Sequence, residues 1–268
     1  MNITDEAHGT FEIIPGSASS AVILHVPHAS RHIPEEVRDG ILLSDADLEA
    51  ELDAMTDADT DRIAAQAAEA ARDRPWIFVN RASRLVVDPE RFPDEREEMN
   101  AAGMGAVYER TSRGEPLRTP GAIERAALID AFFAPYSSAV AKLVRERLEE
   151  AGHVTIIDLH SYPRDALPYE LHAGGARPEI CIGTDPFHTP AELRDQALAA
   201  MRIAAPSSDV ALNTPFAGCY VPLDQYGTNP RVRAVMLEVR RDIVREHLGA
   251  VARSVVALVA EIDKETVP

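Results

Sequence analysis

Short β-branched runs alternate along this chain with longer stretches of helical periodicity, which restricts it to an α/β architecture with helices covering a central sheet. The runs occupy 21–26, 76–79, 85–87, 154–159, 180–182, 210–212 and 234–239. A capping signal at Ser44, with Asp47 three residues on, opens a helix predicted to reach Arg72. A second helix is predicted over 123–150, broken near Pro135 and stopped at Gly152. Further helices are expected near 191–201 and over 243–262. The predicted fold is a three-layer α/β/α sandwich on a mixed, mostly parallel central sheet, with 76–79 and 85–87 supplying the antiparallel pair. No repeat or linker divides the 268 residues, so a single domain over 1–268 is expected. The stretch 89–120, rich in proline, glycine and charge, reads as a long excursion of the kind that often carries function.

Two of the runs lead into histidine, Val26-Pro27-His28 and Asp158-Leu159-His160. Ligands of such sheets bind beyond the carboxyl ends of the strands, which sends His28 and His160 to one edge. Two imidazoles and a carboxylate form a common catalytic zinc arrangement. Candidate carboxylates lie in Met55-Thr56-Asp57-Ala58-Asp59-Thr60-Asp61, where poor helix formers interrupt a helical pattern. Asp57 and Asp61, four apart, are expected on one helical face. The competing reading is a solvated acidic face. His28 with His32, and His32 with Glu35, also have metal-ligand spacings, but Pro27 and Pro34 oppose the helix that the first pair needs. His25 reads as a satisfied core or edge histidine, and His153, His172, His188 and His247 as surface or loop residues.

Glu238 stands inside the hydrophobic run Val235-Met236-Leu237-Glu238-Val239. Burial would raise its pKa and suit it to take a proton from water; the alternative is a salt bridge to Arg240 or Arg233. Arg81, Arg84 and Arg91, with Asn80 and Asp88, form a basic group able to hold a carboxylate in bidentate fashion, or else a solvated loop. Gly218 and Tyr220 lie in a loop that could close over a pocket, with glycine allowing close backbone approach.

The net charge of −17 argues against nucleic acid or an anionic membrane surface as the main partner, while a local arginine cluster still permits a small anionic substrate. Two cysteines, Cys181 and Cys219, do not make a disulfide scaffold. The acidic start lacks signal-peptide regions and no apolar run approaches the ~20 residues of a membrane span, so the cytoplasm is the expected address. Ser161 beside His160 has no Gly-x-Ser-x-Gly elbow, and there is no glycine-rich phosphate loop.

In order along the chain, Val26-Pro27-His28-Ala29-Ser30, Met55-Thr56-Asp57 with Asp61, Ser83-Arg84-Leu85-Val86-Val87-Asp88 with Arg91, Ile157-Asp158-Leu159-His160-Ser161, Asn213-Thr214-Pro215-Phe216 with Gly218 and Tyr220, and Leu237-Glu238-Val239 resemble the N-formylglutamate amidohydrolase family. That family is similar in fold to the zinc carboxypeptidases and aspartoacylases. The resemblance implies one catalytic zinc ion held by His28, His160 and Asp57, with Asp61 as the alternative carboxylate. It implies Glu238 as general base and Arg84 and Arg91 as the arginines that hold substrate carboxylate or the developing oxyanion, with Arg84 taken as catalytic; Arg91, Asn80, Arg81, Ser161, Gly218 and Tyr220 are the expected substrate contacts. The implied substrate is a small anionic N-acyl amino acid, N-formyl-L-glutamate first, hydrolysed to formate and L-glutamate in amino-acid catabolism, specifically histidine degradation. Rival readings are a related zinc amidase on another N-acyl amino acid and a non-catalytic carboxylate-binding protein of the same fold. The chain departs from the family pattern at Cys219 in place of glycine, at Ser137 in place of histidine, and over 90–96.

Overall fold

The computed structural model describes residues 3–4, 9–170, 174–205, 207 and 209–264. Its elements, in chain order, are β1 (Ile3–Thr4), β2 (Phe11–Ile14), β3 (Val22–Val26), α1 (Glu35–Arg38), α2 (Asp45–Met55), α3 (Thr60–Ala70), β4 (Trp76–Asn80), α4 (Ala122–Leu128), α5 (Ala134–Ala151), β5 (Val154–Tyr162), β6 (Ile180–Gly183), α6 (Ala191–Ala204), β7 (Val210–Leu212), β8 (Val232–Arg240) and α7 (Arg241–Ile262). The strands form one eight-stranded sheet in the order β1-β2-β4-β3-β5-β8-β6-β7. Strands β4, β3, β5 and β8 run parallel at its centre, while β2 against β4 and β6 against β8 are antiparallel.

The sheet is therefore mixed, but not for the reason expected from sequence. Leu85–Val87 is a turn whose apolar side chains fill small satellite cores with Met99, Tyr108, Leu117 and Phe132. The antiparallel neighbour of β4 is β2, unrecognised in the sequence because it is four residues long and half-buried in alternation. The segment 89–120 packs into the same satellite cores through Met99, Met104, Tyr108 and Leu117, so it is a covering layer beside α2 rather than a free excursion.

Side chains alternate across the central strands. Leu24, Ile157, Leu159, Val235 and Leu237 face a core shared with Ile63 and Ala67 of α3, Leu193 and Ala197 of α6, and Val251, Val255 and Leu258 of α7. Ile23, Phe78, Val154, Ile156 and Ala234 face α5 through Tyr136, Val140, Leu143 and Val144. Three layers result. The helical run Ala122–Ala151 is long and apolar enough, by length and composition only, to cross a membrane, contrary to the expectation that no such run exists. Its apolar side chains instead cover the sheet. A π-turn over Ile129–Phe133 precedes Pro135, and Gly152, at φ 77°, ends the helix.

The α5-covered face carries the chemistry. By the same alternation, His25 follows Ile23, Asp158 and His160 follow Ile156, and Met236 and Glu238 follow Ala234. In the ladder His25 pairs with Asp158, and His160 with Glu238. These residues lie toward the carboxyl ends of the parallel strands, with His25 against Tyr136 in the first turn of α5.

Candidate active site

The expected single helix from Ser44 to Arg72 is two helices, and the break between them makes the site. Thr56 leaves helical geometry at ψ 131°, and Asp59 adopts the left-handed conformation at φ 68°, which aspartate tolerates better than most residues. Thr60 donates its hydroxyl to the Asp57 carbonyl at 2.9 Å, and the Asp57 amide donates to the His28 carbonyl at 3.0 Å. Short polar side chains compete for backbone partners in this way and open the helix. The loop is thereby tied to the end of β3, with the Asp57 carboxylate buried against the sheet edge. Asp57 and Asp61 consequently do not share a helical face. Asp61 accepts from the Arg62 amide at 2.8 Å on the half-exposed side of α3, and the metal-competent groups among the described residues do not include it.

His28, Asp57 and His160 converge. Oδ2 of Asp57 lies 3.6 Å from Nδ1 of His28 and 2.9 Å from Nδ1 of His160. His28 Nε2 is held by a hydrogen bond to the buried Asp88 at 3.0 Å, whereas Asp158 stands 3.1 Å from His160 Nε2 without forming a hydrogen bond to it. Metal-bound histidines are oriented by carboxylates in the manner of His28. Nδ1 of His28 is buried with no hydrogen-bond partner among the described residues, an orphan that a cation would satisfy. The donor set and this orphaned nitrogen both fit a divalent ion.

Electrostatics point the same way. Burial alone would lower the pKa of His160, but Glu90, Asp158 and Asp57 outweigh it and raise it well above the ordinary value. For His28, burial and Arg84 oppose charging, yet Asp88, Glu90 and Asp57 bring a net rise. Burial would raise the Asp57 pKa, but both histidines lower it far below the usual carboxylate range. The pocket draws positive charge to the place where the three donors meet.

Glu238 is buried beside this cluster, and burial pushes its pKa up to about 8, with His160 pulling against the rise. Its Oε2 has no hydrogen-bond partner among the described residues, and Arg240 pairs instead with Asp242 at 2.7 Å. Arg84 donates Nη2 to Asp88 at 2.7 Å and Nε to the Tyr108 hydroxyl at 3.0 Å. Tyr108 in turn donates to the same Asp88 carboxylate at 2.5 Å. Arg91 lies 3.7 Å from Asp88 and 3.6 Å from Glu97, and lines the cleft with Arg84.

Some expected substrate contacts are elsewhere. Arg81 turns to Glu12 on β2, with Nη2 at 2.5 Å, and does not line the cleft. Asn80 spends its amide on the Pro27 carbonyl at 2.9 Å and the Ala82 amide at 3.1 Å, holding the strand end that presents His28. Neither side chain lines the cleft. Ser161 borders the cleft with its hydroxyl on the Ala58 carbonyl at 3.2 Å. Tyr220 lines the cleft, stacks on His25 with ring centroids 4.4 Å apart, and donates its amide to Asp158 at 3.1 Å. Gly218 also lines it at φ 89°, but the close approach belongs to Gly183, whose absent Cβ would lie 2.3 Å from the Gly218 carbonyl oxygen.

His25 is the buried histidine expected, held by Asp158 at 2.8 Å and the Tyr136 hydroxyl at 2.5 Å. His188 lies in a loop, as expected, but is buried there, bonded to the Val232 carbonyl at 2.7 Å and accepting from the Gly227 amide at 2.8 Å. His172 lies outside the described residues. Sequence reasoning passed over Glu90, Asp158 and Arg241 as site residues. Asp158 was detectable, standing two before His160 in a strand and hence on the same face. Arg241 hangs from the carbonyls of Asp53 and Ala54 at 3.1 and 2.9 Å, with Nη2 3.6 Å from Asp57.

The cleft over this cluster has a volume of about 460 Å³ and a rim that includes Phe92, Leu223 and Tyr226. The N-formylglutamate amidohydrolase family model matches residues 20–245. The chain belongs to that family. The N-formylglutamate amidohydrolase from Ralstonia eutropha JMP134 is similar in structure at a TM-score of 0.78 and 19% identity, over 95% of this chain and 97% of that one. A gene product of Agrobacterium tumefaciens is similar at a TM-score of 0.70 and 23% identity, over 96% of each chain. No curated protein matches the chain in sequence. As a member of the N-formylglutamate amidohydrolase family, the chain is an amidohydrolase with an α/β fold on a mixed sheet.

Proposed function

We propose that this amidohydrolase is zinc-dependent and cleaves the formyl amide of N-formyl-L-glutamate, giving formate and L-glutamate. The observation that carries the reading is the convergence of His28, Asp57 and His160 beside Glu238, with the Nδ1 of His28 buried and unpartnered among the described residues. A zinc ion held by those three residues would polarise the amide carbonyl and activate water at neutral pH.

The protein's own groups do the rest. Glu238 accepts the proton of the attacking water and delivers it to the leaving nitrogen; its raised affinity for a proton suits both transfers. Arg84, fixed by Asp88 and Tyr108, holds positive charge toward the oxyanion that develops on the carbonyl oxygen. Arg91 and Arg241 supply guanidinium groups for the substrate carboxylates. Glutamate is favoured over a neutral amino acid because guanidinium groups lining the cleft can pair directly with its extra carboxylate. The reading also places the protein in amino-acid catabolism, in the histidine-degrading branch, and in the cytoplasm.

A substrate panel tests it. Formate release from N-formyl-L-glutamate is expected to exceed release from N-formyl derivatives of neutral amino acids, and N-acetyl-L-glutamate is expected to be the poorer acyl analogue. Equal turnover of neutral and acidic substrates would remove the role given to the arginines.

A further inference from the structure

Glu90 reaches into the site from the loop after β4 and faces all three histidines. Its Oε2 lies 3.4 Å from His160 Nε2 and 3.6 Å from His28 Nε2, and its Oε1 lies 3.6 Å from His25 Nδ1. These contacts are on the side of the histidine pair opposite Asp57.

Three donors, His25, Glu90 and Asp158, stand close enough there to share an ion, and His160 Nε2 borders two of them. His25 Nδ1 is 2.8 Å from Asp158 Oδ1 and 3.6 Å from Glu90; His160 Nε2 is 3.1 Å from the same Asp158 oxygen and 3.4 Å from Glu90. Tetrahedral zinc ligands at ~2.0–2.1 Å from the ion stand ~3.3 Å from one another. His25, Glu90 and Asp158 also satisfy on their own the spacing required to hold a metal ion.

Hydrogen bonding does not account for this cluster. A His25–Asp158 pair is complete without a cation. Among the described residues, however, neither Glu90 Oε1 nor His160 Nε2 has a hydrogen-bond partner although both atoms are buried, and the His160 side chain is only 5% exposed. Buried polar atoms left this way call for an ion or another group between them. The outer contacts match ligand duty: the far nitrogen of His25 meets the Tyr136 hydroxyl, and the second Asp158 oxygen accepts from the Tyr220 amide.

We propose that the chain holds a second divalent cation, bound by His25, Glu90, Asp158 and His160 Nε2, beside the zinc position of His28, Asp57 and His160 Nδ1. His160 gives one nitrogen to each position and links them as a bridging imidazolate. Glu90, which sequence reasoning assigned to a segment departing from the family pattern, is the residue that makes the second position. This inference goes beyond the proposed reaction and does not depend on the substrate.

The test is calorimetric titration of the chelator-stripped full chain with Zn²⁺, paired with total bound metal after gel filtration and circular dichroism as a folding control. Wild type is expected to bind two equivalents, Glu90→Gln and His28→Ala one each, and His160→Ala, which takes a ligand from both positions, to bind zinc more weakly than wild type at both. A wild type that binds one equivalent, kept in Glu90→Gln and lost in His28→Ala, overturns the second position while leaving the first intact. Two equivalents in Glu90→Gln also overturn it. No zinc in the wild type overturns both positions.

Discussion

Nδ1 of His160 stands 2.9 Å from Oδ2 of Asp57, across a sequence separation of 103 residues. That contact joins the end of a central strand to the loop that splits α2 from α3, and it assigns the carboxylate of the donor set. Asp57→Asn should weaken zinc affinity by at least ~10-fold, while Asp61→Asn should leave it unchanged. Competition with a chromophoric chelator reads both. Equal losses in the two variants would contradict the assignment.

Asp88 fixes His28 from behind and receives Arg84 and Tyr108 on its other oxygen. Asp88→Asn should cost ~10–100-fold in metal affinity without touching any of the three donors. A catalytic loss at full metal occupancy would instead place its role in orienting Arg84, and activity measured at saturating zinc separates the two.

Glu238 sets a pH dependence in the metal-free protein. Its pKa rises on folding from 4.5 to about 8, so the folded chain keeps a proton that the unfolded chain gives up. The stability this supplies is complete below pH ~4.5 and is lost as pH rises through about 8, at up to ~1.4 kcal/mol per pH unit. Urea unfolding of the chelated protein from pH 5 to 8.5 should show wild type losing stability relative to Glu238→Gln as pH rises. Parallel profiles would show that Glu238 titrates normally.

Much of the fold was legible because β-branched runs announce buried strands. Val22–Val26, Val154–Tyr162 and Val232–Arg240 carry the central ladder and the residues that point into the cleft. What failed has physical causes. The apolar pattern continues on both sides of Asp57, so periodicity alone joined α2 to α3. Leu85–Val87 looks like a strand because a satellite core needs the same apolar residues as a sheet. Arg81 was grouped with Arg84 because its partner, Glu12, sits on the unrecognised β2. Glu90 gave no signal: a carboxylate in an acidic, proline-rich loop reads as solvated until its distance from the histidines is known.

Gly183 couples the sheet to the cleft loop. A methyl group there would lie 2.3 Å from both the Gly218 carbonyl oxygen and the Met236 side chain, and the carbonyl belongs to backbone that cannot rotate aside. Gly183→Ala should destabilise the protein by ~1–3 kcal/mol and raise KM through a displaced Gly218–Tyr220 segment. Thermal unfolding and steady-state kinetics check the two effects, and a variant of wild-type stability would show that the loop yields freely.

The most direct measurement is formate release from N-formyl-L-glutamate by the purified protein, before and after chelation and after zinc restoration, alongside Glu238→Gln and His160→Ala. The account predicts zinc-restorable release, a kcat lowered ~10²–10⁴-fold in Glu238→Gln, and no zinc-restorable release in His160→Ala. Release that survives chelation, or that is unchanged in Glu238→Gln, would contradict it.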